Sequence, residues 1–197
     1  MAVLGTGTAN GGCSLLHAAG LGYGASLALD LPVKVRILDK KSRRDVEDPD
    51  GLLEQIVIAW KNAGLKLPTD EIFWSIKSEI PPRQGLKSSS AISVAAIRAL
   101  CDATDSTLDN ADIVDIAAAA QLAAGVSITG SFDDSWAAIE GGWKLVDTNA
   151  ESARQGLLLE SEGPKSEDWK VLILLRGDRD ERPALEDFTF HQQAFSQ

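Results

Sequence analysis

The feature that most constrains this chain is a turn-rich segment, residues 81–91 (PPRQGLKSSSA), which leads directly into an apolar stretch ending near residue 103. The prolines and Gly85 favour a loop, and glycine lets the backbone approach a ligand closely. The serines favour the start of a helix. A helix start carries free N–H groups and a partial positive charge, so it attracts phosphate. With Lys87 at the same place, the segment predicts an anion site; plain capping by the serines is the alternative.

The segment is not a Walker-type phosphate loop, in which Gly and Lys are adjacent. Leu86 separates Gly85 from Lys87. The helix predicted after the loop, from Ala91 to Ala103, is apolar nearly all round, which is typical of a buried helix. A buried helix would hold the loop rigidly.

Composition narrows the classes of partner. The chain has 197 residues, 44% of them hydrophobic, which is enough for a folded core. Its net charge of −10 argues against binding nucleic acid, RNA included, or an anionic membrane. We expect a cytoplasmic protein with local cations at any anion site. No signal-peptide pattern and no membrane-length apolar run is seen in the sequence.

Metal and disulfide chemistry have little support in the sequence. Cys13 and Cys101 form no Cys-x-x-Cys pair, which argues against a zinc site and a disulfide framework. His17 and His191 have no metal-ligand spacing. Gly5 and Gly7 begin a dinucleotide-like fingerprint, but Asn10 stands where its third glycine belongs. We therefore expect the small residues of 5–26 to serve tight strand turns or close approach of a ligand.

Hydrophobic periodicity predicts the remaining elements. Strands are predicted over 26–38, with Pro32 at a bulge or edge, and over 71–78. Helices are predicted over 50–63 and 111–124, the second capped by Asp109 or Asn110. A short strand is predicted at WKLVDTN, after Gly141-Gly142, and a buried strand over 169–176.

A second group of chemically active residues is the acidic pair Asp133-Asp134, in a loop rich in Gly, Ser and Thr. One interpretation is an Asx turn or a helix N-cap. The other is a carboxylate that takes or orients the proton of a substrate hydroxyl, near Mg²⁺ and phosphates. Adjacent side chains diverge in regular backbone, so at most one faces a reacting group.

Together these segments resemble the GHMP kinase superfamily, whose phosphate loop reads Pro-x-x-x-Gly-Leu-Gly-Ser-Ser-Ala-Ala. The Gly-Leu-Lys-Ser-Ser-Ser-Ala variant present here is similar to the archaeal-type shikimate kinases. So are SITGSFDDSWAAIEGGWKLVDTN, over residues 127–149, and the opening GTGTANG…GYGASLALDL. The resemblance implies an α+β fold: a domain like the second domain of ribosomal protein S5 over 1–160, and the beginning of a ferredoxin-like domain over 161–197.

The resemblance also implies a reaction, the ATP-dependent phosphorylation of the 3-hydroxyl of shikimate in chorismate and aromatic amino-acid biosynthesis. It implies ATP and Mg²⁺ as cofactors, with Ser89 as a metal ligand. Asp134, seven residues before Gly141, would be catalytic together with Lys87. Asp133 and Thr129 would contact the substrate. The nucleotide would bind the residues Pro81, Pro82, Arg83, Gln84, Gly85, Leu86, Lys87, Ser88, Ser89, Ser90 and Ala91.

Some questions stay open at the level of sequence. Arg83, Lys34 and Arg36 are equal candidates for holding the shikimate carboxylate. No acid within 121–124 matches the glutamate that completes the metal site in some relatives. The third family motif, similar to Ser-Gly-Thr-Gly-Pro, is missing, so we expect the chain to lack the C-terminal part. The alternatives are a kinase for another small alcohol, such as homoserine or mevalonate, and a non-catalytic nucleotide-binding domain. The oligomeric state is not predicted.

Overall fold

The computed structural model describes residues 1–43, 46–163 and 169–175. Within these residues a single antiparallel sheet has the strands β1 Val3–Leu16, β2 Tyr23–Leu38, β3 Phe73–Ser78, β4 Trp143–Asp147 and β5 Leu157–Ser161. The helices are α1 Leu52–Asn62, α2 Ser88–Thr104, α3 Asn110–Ala123, α4 Phe132–Glu140 and α5 Ala153–Gly156. No described helix is both long and apolar enough to cross a bilayer.

Strand β2 is the centre of the sheet. β1 pairs with it along one edge, and β4 and β3 share the other edge, β4 beside residues 23–27 and β3 beside residues 33–38. The inward-facing Val33, Val35 and Ile37 are fully buried, whereas Lys34 and Arg36 between them are exposed. This alternation is the period of two expected of a half-buried strand. Pro32 lies beside the register shift between Asn10 and Gly12, which confirms the predicted bulge.

Two glycines of β1, Gly5 and Gly7, let helix α2 pack closely against the sheet. A Cβ added at Gly7 would lie 2.0 Å from the Ala95 carbonyl oxygen, and one at Gly5 would lie 2.3 Å from that of Ala99. The expectation of tight turns or ligand approach is therefore wrong for these two positions. The segment is part of one long strand, and its missing side chains let a helix backbone contact the strand backbone directly.

The predicted helices are confirmed, with one shift. Helix α1 buries Leu53, Ile56 and Trp60, and α3 begins after Asp109, whose carboxylate accepts a hydrogen bond from the Asp112 amide at 3.0 Å. Helix α2 begins at Ser88, earlier than predicted. The serines form its first turn instead of capping it, because the chain enters the helix from a left-handed residue, Lys87.

The strand predicted over 169–176 is wrong for the described residues 169–175, which have no strand structure. No described strand pairs with them, and Trp169, Leu172 and Leu174 are at least two-thirds exposed. An apolar sequence becomes a strand only when a partner completes its ladder of hydrogen bonds. Most of 161–197 lies outside the described residues, so the boundary at residue 160 and the ferredoxin-like domain stay predictions.

Candidate active site

A cavity of about 800 Å³ opens beside the start of helix α2. Its wall is formed by the loop before α2, the loop before α4, the segment 47–50 and the C-terminal ends of β1 and β3. Of the residues predicted from the sequence, it gathers Pro82, Arg83, Gly85, Leu86, Lys87, Ser88, Ser89, Thr129, Asp133 and Asp134. Two segments 40 residues apart in the chain therefore face one space.

The loop before α2 is bent through three left-handed residues, Arg83 (φ 57°), Gly85 (φ 73°) and Lys87 (φ 62°). Left-handed residues alternating with others turn successive N–H groups toward one side and make an anion-binding concavity. A non-glycine residue in this conformation costs about 1–2 kcal/mol, so the surroundings must hold it there. Leu86 helps to do so, because it is buried and its carbonyl accepts a hydrogen bond from the Gly12 amide of β1 at 3.1 Å.

The first-turn amides of helix α2 are free. The Ala91 amide donates to the Lys87 carbonyl at 3.0 Å, but the amides of Ser88, Ser89 and Ser90 donate to no described residue. No side chain caps this helix start. Since three N–H groups without a partner among the described residues lie at the positive end of a buried helix, the backbone here provides an anion site.

Lys87 connects the loop before α2 with the acidic pair of α4. Its ammonium Nζ lies 3.0 Å from Asp134 Oδ2, and the side chains are 19% and 7% exposed. A pair so far removed from water interacts more strongly than a surface ion pair. The lysine thereby stabilises the carboxylate and stays beside the free amides, where it adds positive charge.

Asp133 and Asp134 lie in the first turn of helix α4, yet neither caps it. Both carboxylates reach Ser26 near the beginning of β2: Ser26 Oγ lies 2.8 Å from Asp133 Oδ2 and also hydrogen-bonds Asp134 Oδ1. A Cβ at Gly24 would lie 2.7 Å from Asp133 Cγ, so the absent side chain makes room for this acid. Burial, and then the charge of Asp134, raise the pKa of Asp133 to about 6.

The buried side-chain amide of Gln121 links the start of α2 to the start of α4. Ser90 Oγ donates to Gln121 Oε1 at 2.8 Å, and Gln121 Nε2 donates to Ser135 Oγ at 3.1 Å and to the Ala117 carbonyl at 3.2 Å. Gln121 is fully buried. It therefore ties the first turn of α2 to the first turn of α4, and with them the free amides to the acidic pair.

Other predicted residues occupy varied positions. Ser90 and Ala91 are buried, so any contact between Ser90 and a nucleotide is made by its backbone amide and not by its side chain. Pro81 and Gln84 do not line the cavity. Of the three cations considered for a substrate carboxylate, only Arg83 lines the cavity, because Lys34 and Arg36 are on the exposed face of β2. Thr129 lies on the wall beside Ser127 and Ser131.

The donor set fits magnesium only in part. No three His, Cys, Asp or Glu side chains converge among the described residues. The Ser89 hydroxyl lines the cavity and has no hydrogen-bond partner in the described part of the chain. Mg²⁺ commonly binds through substrate phosphates and water with one or two protein oxygens. Ser89 suits such a site as its protein ligand.

Sequence reasoning missed Ser26, Gly24 and Gln121. Gly24 and Ser26 are small residues two apart on one face of β2, but the predicted strand began at residue 26, so only Ser26 has a signal in retrospect. Gln121 has none, because a glutamine near the end of a helix is ordinary until its buried partners are known. Cys13, close to Lys87 and Asp134, has a pKa raised chiefly by burial, so its thiol stays protonated at neutral pH.

Comparisons with known proteins relate the chain to one family of kinases. Residues 52–142 match the family described as GHMP kinases N terminal domain. The chain is 32% identical over 164 residues to a shikimate kinase of Methanocella arvoryzae, covering 79% of the chain and 54% of that relative. It is 33% identical over 154 residues to a shikimate kinase of Pyrococcus abyssi, covering 73% and 55%. The chain thus spans about half the length of the curated relatives it matches.

Solved structures show the same fold. A mevalonate kinase from Staphylococcus aureus superimposes with a TM-score of 0.53 at 25% identity, over 75% of this chain and 54% of that one. A galactokinase from Lactococcus lactis, complexed with galactose, gives a TM-score of 0.58 at 18% identity, over 74% and 45%. At such identities the likeness concerns the arrangement of strands and helices.

Proposed function

The chain belongs to the GHMP kinase family, and on that premise we propose that it binds ATP and phosphorylates a small alcohol, with the 3-hydroxyl of shikimate as the acceptor. The observation that carries the proposal is the placement of three free helix amides and the Lys87–Asp134 ion pair on one cavity. Phosphate needs the amides and the cation, and an alcohol acceptor needs a carboxylate nearby.

In the proposed reaction the amides of Ser88–Ser90 and the Lys87 ammonium hold the triphosphate. The acceptor oxygen forms a bond to the γ-phosphorus while the bond to the β,γ-bridging oxygen of ADP breaks. Asp134 takes the proton of the acceptor hydroxyl, since each carboxylate oxygen keeps a second lone pair beyond its bond to Ser26 or Lys87. Preorganised charge and positioning lower the barrier.

The remaining roles are assigned by place in the cavity. Mg²⁺, held by the phosphates and by the Ser89 hydroxyl, would neutralise charge that develops on the transferred group. Asp133 and Thr129 would face the substrate, and Arg83 would hold its carboxylate. Shikimate is favoured over other alcohols by the 32–33% identity to shikimate kinases. A cytoplasmic location and the domain boundary at residue 160 belong to the same proposal.

The test uses the 197-residue chain and two measurements. Calorimetry with Mg·ATP, then with shikimate, reports binding, and transfer from labelled ATP to shikimate, mevalonate, homoserine and galactose reports turnover. Asp134→Asn should lower turnover with shikimate by about 10²–10⁴-fold, the usual contribution of a positioned base. Its ATP dissociation constant should change by less than roughly threefold, because the amides are untouched.

Asp115→Asn is the matched control. Asp115 is another partly buried aspartate, bound to the Ala153 amide at 2.7 Å, and it lies outside the cavity. Equal turnover of Asp134→Asn and the parent chain would refute the role of Asp134. Binding of ATP without transfer to any of the four alcohols would leave a nucleotide-binding domain and refute the kinase activity of this chain.

A further inference from the structure

The contacts of Ser26 pose a problem of proton number. Its hydroxyl has one hydrogen, yet its oxygen is within hydrogen-bond distance of two carboxylate oxygens, Asp133 Oδ2 and Asp134 Oδ1. If both acids are ionised, one of the two contacts has no hydrogen, and a lone pair of Ser26 Oγ then faces a lone pair of a carboxylate oxygen, which is repulsive. One added proton satisfies both contacts: a protonated acid donates to Ser26 Oγ, and Ser26 donates to the other acid.

The surroundings decide which acid receives that proton. The Lys87 ammonium lies 3.0 Å from Asp134 Oδ2 and stabilises negative charge there. Asp133 is 4% exposed, packs against the bare backbone of Gly24, and has no cation within ion-pair distance among the described residues. Protonation of Asp133 therefore removes the costlier of the two charges.

We propose that Asp133 is a positioning residue that takes up a proton when a triphosphate binds, so that Asp133, Ser26 and Asp134 form one directional hydrogen-bond chain. The negative phosphates at the amides of Ser88–Ser90 would add to the negative charge around Asp133 and favour its neutral form. The completed chain fixes the carboxylate of Asp134, whose orientation then no longer depends on a hydrogen shared between two acids. This inference rests on the proposed function, because it requires nucleotide at the loop before α2.

The charged and titratable groups around Asp133 come from each neighbouring element. Asp134 is on the same helix, and Lys87 is on the loop before α2. Cys13 of β1 is close enough to interact with Lys87 and Asp134, and His17, after β1, lines the same cavity. Strand β2 contributes only the uncharged Gly24 and Ser26. With its pKa near 6, Asp133 is about one-tenth protonated at pH 7.

Proton uptake is measured directly by titrating the chain with Mg·ATP at pH 7 in buffers of different ionisation enthalpy. If bound phosphate raises the Asp133 pKa by about one unit, its protonated fraction rises to about one half, and uptake is about 0.4 proton per ATP bound. Asp133→Asn should remove this uptake and still bind ATP. Asp115→Asn, which changes a partly buried aspartate away from the cavity, should keep the uptake.

The positioning role is tested by turnover against pH. Ser26→Ala, which breaks the hydrogen-bond chain between Asp133 and Asp134, should lower turnover about tenfold while the ATP dissociation constant changes less than threefold. Asp133→Asn should lose less turnover than Asp134→Asn and should flatten the pH profile near pH 6. Circular dichroism of each variant confirms that the sheet and helices are formed.

Each possible result of these two experiments either supports or overturns the inference about Asp133. Uptake that disappears only in Asp133→Asn supports the inference. ATP binding with no uptake, or with equal uptake in Asp133→Asn, overturns it and leaves the proposed function intact. A loss in Asp133→Asn as large as that in Asp134→Asn would make Asp133 itself the base and also overturn it. Absence of ATP binding would overturn both, and the calorimeter distinguishes that case at once.

Discussion

Adding a single methyl group at Gly7 should destabilise the whole fold. In Gly7→Ala the new Cβ would lie 2.0 Å from the Ala95 carbonyl oxygen and 2.5 Å from the Ala99 amide nitrogen. Real Cβ atoms stay at least 3.0 Å from such atoms, so the first contact must lengthen by 1.0 Å (3.0 minus 2.0). Both neighbours are backbone atoms of α2 and cannot rotate away, so the helix itself must move.

The expected magnitude combines two opposing effects. Overpacking of a well-filled core costs about 1–3 kcal/mol, and a clash with backbone belongs at the upper end. Alanine in an extended position also restricts the unfolded chain, which stabilises by about 0.4–1 kcal/mol. The net loss in the free energy of unfolding is about 2 kcal/mol. With a urea m-value of about 2 kcal/mol/M, the midpoint should fall by about 1 M.

Urea denaturation followed by tryptophan fluorescence measures this change. Gly64→Ala is the matched control, because its Cβ would meet nothing within 4 Å and only its left-handed φ of +77° is strained. That control should lose about 1 kcal/mol and keep its affinity for ATP. Gly7→Ala should also bind ATP more weakly, because moving α2 displaces the amides of Ser88–Ser90. A Gly7→Ala variant within 0.5 kcal/mol of the parent would show that the helix is not seated on β1 as described.

Three further variants test other contacts. Asp133 has a pKa of about 6 in the folded chain against an ordinary 3.8, so its favourable contribution is complete only below pH 3.8 and is lost as pH rises through about 6. Between pH 4 and pH 8, urea denaturation should therefore show Asp133→Asn gaining about 2 kcal/mol on the parent; a constant difference would contradict the shift. Gln121→Leu leaves Ser90 and Ser135 unpaired in the core and should cost about 2–4 kcal/mol by thermal melting, and no loss would refute the linking role. Arg98→Met removes the donor to the Thr8 and Ile139 carbonyls, both at 2.9 Å, and should cost about 2–3 kcal/mol in the same assay; an unchanged melting temperature would show that water replaces it.

Local sequence signals predicted most of the elements correctly. Strand β2 has alternating residues, α1 has one apolar face, and Asp109 caps α3, so each element carries its own evidence within a few neighbours. The failure at 169–176 has the opposite cause. A run of apolar residues says that burial would be favourable, but pairing depends on whether another strand lies beside it, and no described strand does.

The candidate site divides in the same way. The loop 81–91 and the acids Asp133 and Asp134 were predicted from the sequence because turn residues, small hydroxyls and paired carboxylates cluster locally, and the structure places part of the loop and both acids on one cavity. Ser26 was not found, because its importance arises from contacts with acids 107 and 108 residues away. The choice of Arg83 over Lys34 and Arg36 also required the structure, since only the faces of the folded sheet separate them.

The sequence alone determined the helix whose free end suits phosphate, because chain stiffness, capping preference and charge act over a few residues. The tertiary structure alone decided what lies opposite that end. It brought Lys87 to Asp134 and Ser26 between two acids, and it used Gly5 and Gly7 to bring α2 against β1. Contacts of this kind depend on distances between segments far apart in the chain, which local preferences do not encode.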